Sequence, residues 1–312
     1  MKISVKIFIA GIIAFNFAGC DSDAIYQDEQ YKPMVYLLSS GTENVYVASY
    51  TLNEESSEQY VTVGCGGSET NEKAIEVNIE PNPEMLDRYN MLNYDYEHQY
   101  ARLLPAYRYE ISSYSVTLPA QSDDHYARMP VKVRPDGLSP DSIYFVPLKI
   151  VSISEYEVNE EKQDVLFRVA IENDYATQYP KTEYTKSGQL SNPLLVMSGT
   201  KTVHPLTKDK VRMLIGNESY TSEITTAGLA KNSVVVQIHE DNTVTVTPYD
   251  DSMMEVEMIP KEDYNRYDPA LIQGLTPMRV FWLSYRFRQS ADGVNFGAWR
   301  EVEERLIRVE ED

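Results

Sequence analysis

From Val280 to Arg288 a strict period of two puts Phe281, Leu283, Tyr285 and Phe287 on one face of a strand and Trp282, Ser284, Arg286 and Arg288 on the other. The first set reads as core. The second places an indole on a polar, arginine-bearing face, where a large aromatic is expected to cover something: a neighbouring guanidinium in a cation–π stack, or the apolar face of a ligand. Trp299, on the returning strand, is a second ring of this kind. Twenty-four tyrosines against eight phenylalanines extend the same chemistry, because tyrosine joins a flat apolar face to a hydroxyl that stays wet. In Tyr94-Asp95-Tyr96-Glu97-His98-Gln99-Tyr100, aromatic, acidic and amide groups interleave in a loop. Tyr94 and Tyr96 are its candidate contacts, unless Tyr89, Tyr100 and the Leu103-Leu104-Pro105 turn only plug a sandwich end. Sugar rings present apolar C–H faces edged by hydroxyls. Trp282, Arg286, Trp299, Tyr94 and Tyr96 are therefore the candidate set for stacking and hydrogen bonding to an oligo- or polysaccharide.

Reactive constellations are sparse. Ser198-Gly199-Thr200-Lys201 fits Ser-x-x-Lys, but that pattern needs its serine at a helix start, and both flanks here read as strand. His98, His125, His204 and His239 share no metal-motif spacing with one another or with Cys65. With 48 acids some carboxylate pair falls at a glycosidase separation in almost any fold, so such a pair discriminates nothing. Neither a phosphate-cradling glycine loop nor a nucleophile elbow is present. The expectation is a protein without catalytic set, metal or cofactor.

Cys20 carries chemistry of another kind. Lys2 and Lys6 precede an apolar run from Ile7 to Ala18, which is too short for the roughly 20 residues a membrane span needs and matches the core of a secretory signal peptide. Phe17-Ala18-Gly19-Cys20 resembles a bacterial lipobox, with Phe17 where leucine is usual; the resemblance implies a diacylglycerol on the Cys20 thiol and cleavage before it. Several acyl chains hold a protein stably at a membrane surface. Asp21 and Asp23 resemble the signal that sends lipoproteins of Bacteroides-type bacteria to the outer face, which implies an outer-membrane lipid anchor facing the cell exterior. Cys65, within Val63-Gly64-Cys65-Gly66-Gly67, is then left without a disulfide partner and is expected as a small buried hydrophobe.

The elements that must position these residues read almost entirely as β. Short alternating runs recur between Gly, Pro, Asn and Asp, as in a sandwich or barrel. One interruption is helical: Asn82 as N-cap and Pro83 at the first helical position precede Met85, Leu86 and Tyr89 at helical spacing. The segments are 1–19 signal peptide, 20–32 lipidated tether, 33–175 first β domain, 176–192 linker and 193–312 second β domain. In the last, Val234 to Val246 and Trp282 to Trp299 read as long hairpins of an up-and-down barrel. Removing residues 1–19 leaves 26 basic against 48 acidic residues, a formal charge of −22, which repels nucleic acid phosphates.

The lipobox, the Leu103-Leu104-Pro105 turn with Tyr109 after it, Tyr144-Phe145-Val146-Pro147-Leu148, Asp241 to Val246 and Phe281 to Tyr285 together resemble the Bacteroidetes surface lipoproteins encoded beside SusC/SusD-type glycan importers. The resemblance implies an all-β chain, an immunoglobulin-like β-sandwich followed by a lipocalin-like up-and-down β-barrel, and a glycan-binding accessory of the importer. A structural or adhesion role with a protein partner is the rival reading, and glycoside hydrolysis a third.

Overall fold

The structure is a computed structural model that describes residues 32–67, 71–121, 124–221, 224–273 and 276–309. Cys20, the signal segment and all but the end of the tether lie outside the described residues. The first half forms β1 (Met34–Leu37), β2 (Val45–Thr51), β3 (Ser57–Gly66), β4 (Ile75–Pro81), β5 (Arg102–Leu103), β6 (Tyr109–Glu110), β7 (Ser115–Leu118), β8 (Tyr126–Val133), β9 (Tyr144–Ile153), β10 (Glu157–Val158) and β11 (Asp164–Glu172). Two sheets, β10-β1-β3-β8-β6 and β2-β11-β9-β4-β7, face each other, and β5 adds to β9. Alternation explains the layering: in β8, Met129, Val131 and Val133 are buried while Arg128 and Lys132 turn out. β11 is apolar on both faces. Val165, Phe167, Val169 and Ile171 enter the sandwich core, and Leu166 faces outward under the helix Pro83–Asn93, which buries Met85 and Leu86 against Phe145 and Ala101. Pro83 opens this helix as expected, but Asn82 does not cap it through its side chain. Its amide is drawn instead to Asp164 Oδ1 at 2.9 Å. Cys65 is buried at the end of β3.

The second half forms β12 (Thr182–Leu190), β13 (Leu195–Thr207), β14 (Lys210–Leu214), β15 (Ser233–Ile238), β16 (Val244–Pro248), β17 (Met254–Met258), β18 (Arg266–Gln273), β19 (Thr276–Gln289) and β20 (Arg300–Val309). They run β16-β15-β14-β13-β12-β20-β19-β17, with β18 on β19, as a nearly closed barrel. Its core includes Phe281, Leu283, Tyr285 and Phe287. The chain is thus all-β, a sandwich followed by a barrel.

Two local expectations are corrected. The segment 176–192 is not a linker throughout, because Thr182–Leu190 is a barrel strand paired on both sides, to β13 and to β20. Its Lys186-Ser187-Gly188 stretch reads locally as turn, yet Thr182, Tyr184, Lys186 and Leu190 alternate inward. The two flanks of Ser198-Gly199-Thr200-Lys201, each expected as strand, fuse into one strand, with Gly199 carried through it at a φ of 98°. A short helix, Thr226–Asn232, precedes β15 and is capped by Thr225 Oγ1 accepting from Gly228 N at 3.1 Å.

The two halves meet through polar groups. Gln178 Nε2 donates to the carbonyls of Pro140 and Ser142 at 3.0 and 2.8 Å, and Asn173 Nδ2 donates to those of Thr207 and Lys210 at 2.7 and 3.1 Å. Among the described residues no helix is long and apolar enough to cross a membrane.

Candidate ligand-binding face of the barrel

Strand parity positions the site. With the odd-numbered residues of β19 in the core, Trp282, Arg286 and Arg288 project from the outer wall. Register brings Arg266 of β18 and Arg305 of β20 to either side of Trp282, and their guanidinium carbons lie 5.8 and 5.3 Å from the indole centroid. Tyr264 meets the ring edge-on at 5.9 Å. The indole Nε1–H donates to Asp268 Oδ2 at 2.8 Å, which fixes the ring's rotation. Both arrangements are favourable for a half-buried indole, which needs a partner for its N–H and attracts cations to its face.

Trp299 sits in a second stack. Arg286 and Arg288 lie 4.7 and 4.8 Å from its ring centroid. Each is held from behind by a carboxylate of β17: Arg286 by Glu257, with Nε at 2.8 Å from Oε2, and Arg288 by Glu255 at 2.5 Å. Register explains these pairs, since Glu257 and Glu255 are the cross-strand partners of Arg286 and Arg288. The turn that returns the chain to Trp299 is fixed by Asp292, which accepts the amides of Asn295 and Val294 at 2.8 and 2.9 Å. Those bonds, the one from Asn295 first, hold its carboxyl well below the usual range.

Between the stacks Ser284 is fully buried on the outer face. The segment 259–265 folds over it: Ile259 N donates to Ser284 O at 3.0 Å, and Ser284 N to Asn265 Oδ1 at 2.9 Å. Lys261 in that segment reaches Glu303 at 2.7 Å and lies 4.4 Å over Tyr264. Four residues of strand separate Trp282 from Arg286, roughly 13 Å at the usual rise. The wall therefore carries two aromatic–guanidinium stacks, backed by carboxylates, on either side of a low ridge. Such a surface offers apolar ring area, N–H donors and oxygen acceptors together.

The five residues singled out from sequence fall in three places. Arg286 and Trp299 are brought together, Trp282 belongs to the other stack, and the tyrosines belong to the sandwich. Tyr94 is half-buried against Tyr89 and Tyr100, with ring centroids 6.1 and 6.3 Å away, and so helps close the sandwich end. Tyr96 is exposed and stacks on His98 at 5.6 Å. Sequence reasoning missed Arg266, Arg305, Tyr264 and Asp268, whose place beside Trp282 depends on strand register. Ser198 stands on β13, and Lys201 three residues on is buried in an ion pair with Glu304.

A family model for an N-terminal domain matches residues 26–157, and one for a C-terminal domain matches residues 163–307. No curated protein matches the chain significantly. Among solved structures, a protein of unknown function from Bacteroides ovatus shares the fold with a TM-score of 0.69 at 15% identity, over 88% of this chain and 94% of its own. A multidomain protein from Bacteroides ovatus that includes the domain DUF1735 follows at 0.66 and 15%, over 90% and 95%. An auxiliary nutrient binding protein from Bacteroides thetaiotaomicron matches at 0.60 and 12%, over 87% and 93%. Two successive domain models thus match between residues 26 and 307, and the chain shares its two-domain β architecture with proteins of Bacteroides ovatus and Bacteroides thetaiotaomicron.

Proposed function

We propose that this protein is a non-enzymatic, glycan-binding lipoprotein, anchored through Cys20 at the outer face of the outer membrane and serving a SusC/SusD-type uptake system as an accessory. The observation that carries the binding reading is the pair of aromatic–guanidinium stacks on one wall of the barrel, Trp282 between Arg266 and Arg305 and Trp299 on Arg286 and Arg288. Stacking on the indoles and hydrogen bonds to the guanidiniums would hold an oligosaccharide weakly and raise its concentration near the importer. A fold shared with an auxiliary nutrient binding protein supports the same reading. Affinity electrophoresis against a polysaccharide panel tests it: the Trp282→Ala/Trp299→Ala protein should lose retardation that the parent shows. Retention of full affinity by the double variant would sink the site, and release of reducing ends by the parent would make it an enzyme. Cys20→Ala should abolish labelling by radioactive palmitate; unchanged labelling would sink the anchor.

One observation favours a protein partner instead. Leu194, Val196 and Val294 are all at least three-quarters exposed. Leu194 and Val196 flank the start of β13, next to Asn192, whose amide reaches the Trp299 carbonyl at 3.2 Å. A parent protein that is retarded by no glycan yet pulls down the importer would move the assignment to that reading.

A further inference from the structure

We infer a second binding site, selective for anionic groups, in the splayed seam between β12 and β20. β12 pairs with β13 out to Thr182 opposite Val203, and β20 pairs with β19 out to Met278 opposite Val309. With each other, β12 and β20 pair only as far as Thr185 opposite Ile307. Past that point two neighbouring strands run on without a shared ladder, and the wedge they leave is a cleft of about 640 Å³ whose lining includes Lys181, Glu183, Thr185, Arg279 and Arg308.

The charge of this cleft runs against that of the chain, which carries a formal −20. Arg279 and Arg308 are direct register partners. Like charges opposite one another in an antiparallel pair are destabilising, and both guanidiniums are part-buried, where screening by water is weaker. Lys181 adds a third cation on the rim. Neither Lys181 nor Arg308 has a carboxylate within ion-pair distance among the described residues, and Glu183 is the one acid on the lining. Residues 279 and 308 share strand parity with the core residues Phe281 and Leu306, so the arginines turn toward the barrel end, beside the buried hydroxyl of Tyr184. Burial pushes that phenol up to about 12, with Arg308 and then Arg279 pulling the other way.

Two guanidiniums on adjacent strands, whose backbones lie roughly 4.8 Å apart, are near enough to converge on one carboxylate or sulfate group, and arginine binds such groups in fork geometry. The exposed Thr185, also on the cleft lining, suits neutral hydroxyls. Given the glycan reading above, on which this step rests, the ligand class is an acidic oligosaccharide that bears uronate or sulfate-ester groups.

Isothermal titration of the full chain with tetragalacturonate, its methyl ester and inorganic sulfate tests the site. The acid should bind, the ester about tenfold or more weaker, and affinity should fall as salt rises. Arg308→Gln and the surface variant Lys181→Gln should each lose about tenfold, roughly 1.4 kcal/mol; the second guards against a folding defect in the first. Equal affinity for acid and ester, or no loss in either variant, overturns the inference. So does sulfate binding as tightly as the tetrasaccharide, which would mark a free-anion site. If neutral glycans bind through Trp282 and Trp299 and the acid does not bind, this inference falls while the proposed function stands.

Discussion

Lys201 Nζ lies 2.5 Å from Glu304 Oε2 with both side chains almost wholly removed from solvent, so the barrel encloses an ion pair within its apolar core. Tyr285 donates to the other carboxylate oxygen at 3.3 Å. Lys186 is buried nearby, bound to the Gly216 carbonyl at 3.1 Å and Asn217 Oδ1 at 3.0 Å. Burial first, and Lys201 second, lower its pKa, with Glu304 opposing them. Glu304 thus pairs directly with Lys201 and acts on Lys186 only through its charge.

Removing that carboxylate should be severe. Glu304→Ala strands Lys201 in a low-dielectric interior, for which the expected cost is about 3–5 kcal/mol, whereas an apolar replacement of both partners is often neutral. Denaturant unfolding should show a large loss for Glu304→Ala and recovery of most of it in Lys201→Met/Glu304→Leu. A single variant as stable as the parent would mean that water reaches the pair.

A second ion pair ties the halves together. Arg212 on β14, wholly buried, donates to both carboxylate oxygens of Asp141 from the sandwich at 2.6 and 2.5 Å. Tyr249 and Tyr220 flank its guanidinium at 5.0 and 5.8 Å. Asp141→Ala should therefore loosen the junction and cost about 3–5 kcal/mol. Limited proteolysis reads this directly: cleavage should concentrate within residues 173–181 in the variant and not in the parent. Identical digestion patterns would show that Gln178 and Asn173 hold the junction without Asp141.

His204 makes the junction sensitive to acid. Its ring is buried edge-on against Tyr220 at 4.5 Å, and neither nitrogen has a hydrogen-bond partner. Burial, then the nearby Arg212, push its pKa down to about 4 from the ordinary 6.5; Asp141 raises it, and Lys181 lowers it further. A group depressed on folding binds its proton more readily in the unfolded chain. Its contribution is fully present above pH 6.5 and is lost as pH falls from there toward 4, by an amount on the order of 3 kcal/mol. Thermal unfolding between pH 7.5 and 4 should show this decline in the parent and a shallower one in His204→Phe. Parallel curves would refute the assignment to His204.

Much of this was legible in the sequence wherever the signal is local. Period-two alternation put Trp282 on the outer face of β19, and Pro83 with Met85 and Leu86 marked the helix. What depends on pairing was not legible. Arg286 shares a face with Trp282, but four residues of strand keep them roughly 13 Å apart, and the groups each meets, Trp299 for Arg286 and Arg266, Arg305 and Tyr264 for Trp282, come from distant segments of the chain. The strand Thr182–Leu190 was hidden for a related reason: Lys186, Ser187 and Gly188 favour turns locally, and only pairing with β13 and β20 overrides that preference.

Gly188 shows why that position is glycine. A Cβ there would lie 2.1 Å from the Glu303 carbonyl oxygen and 2.8 Å from Glu304 Cα, both backbone atoms of the paired strand β20. Neither can move without opening the ladder between β12 and β20, which also positions Glu304 beside Lys201. Gly64 is equally crowded on paper, with Tyr36 ring atoms at 2.6 Å, but that ring is a part-exposed side chain that can swing aside. Gly188→Ala should therefore cost toward the upper end of the 1–3 kcal/mol, roughly, that overpacking brings, and Gly64→Ala toward the lower end. Denaturant midpoints of the two variants check the order. If Gly64→Ala proves the worse of the two, the β12–β20 seam has more freedom than its register implies.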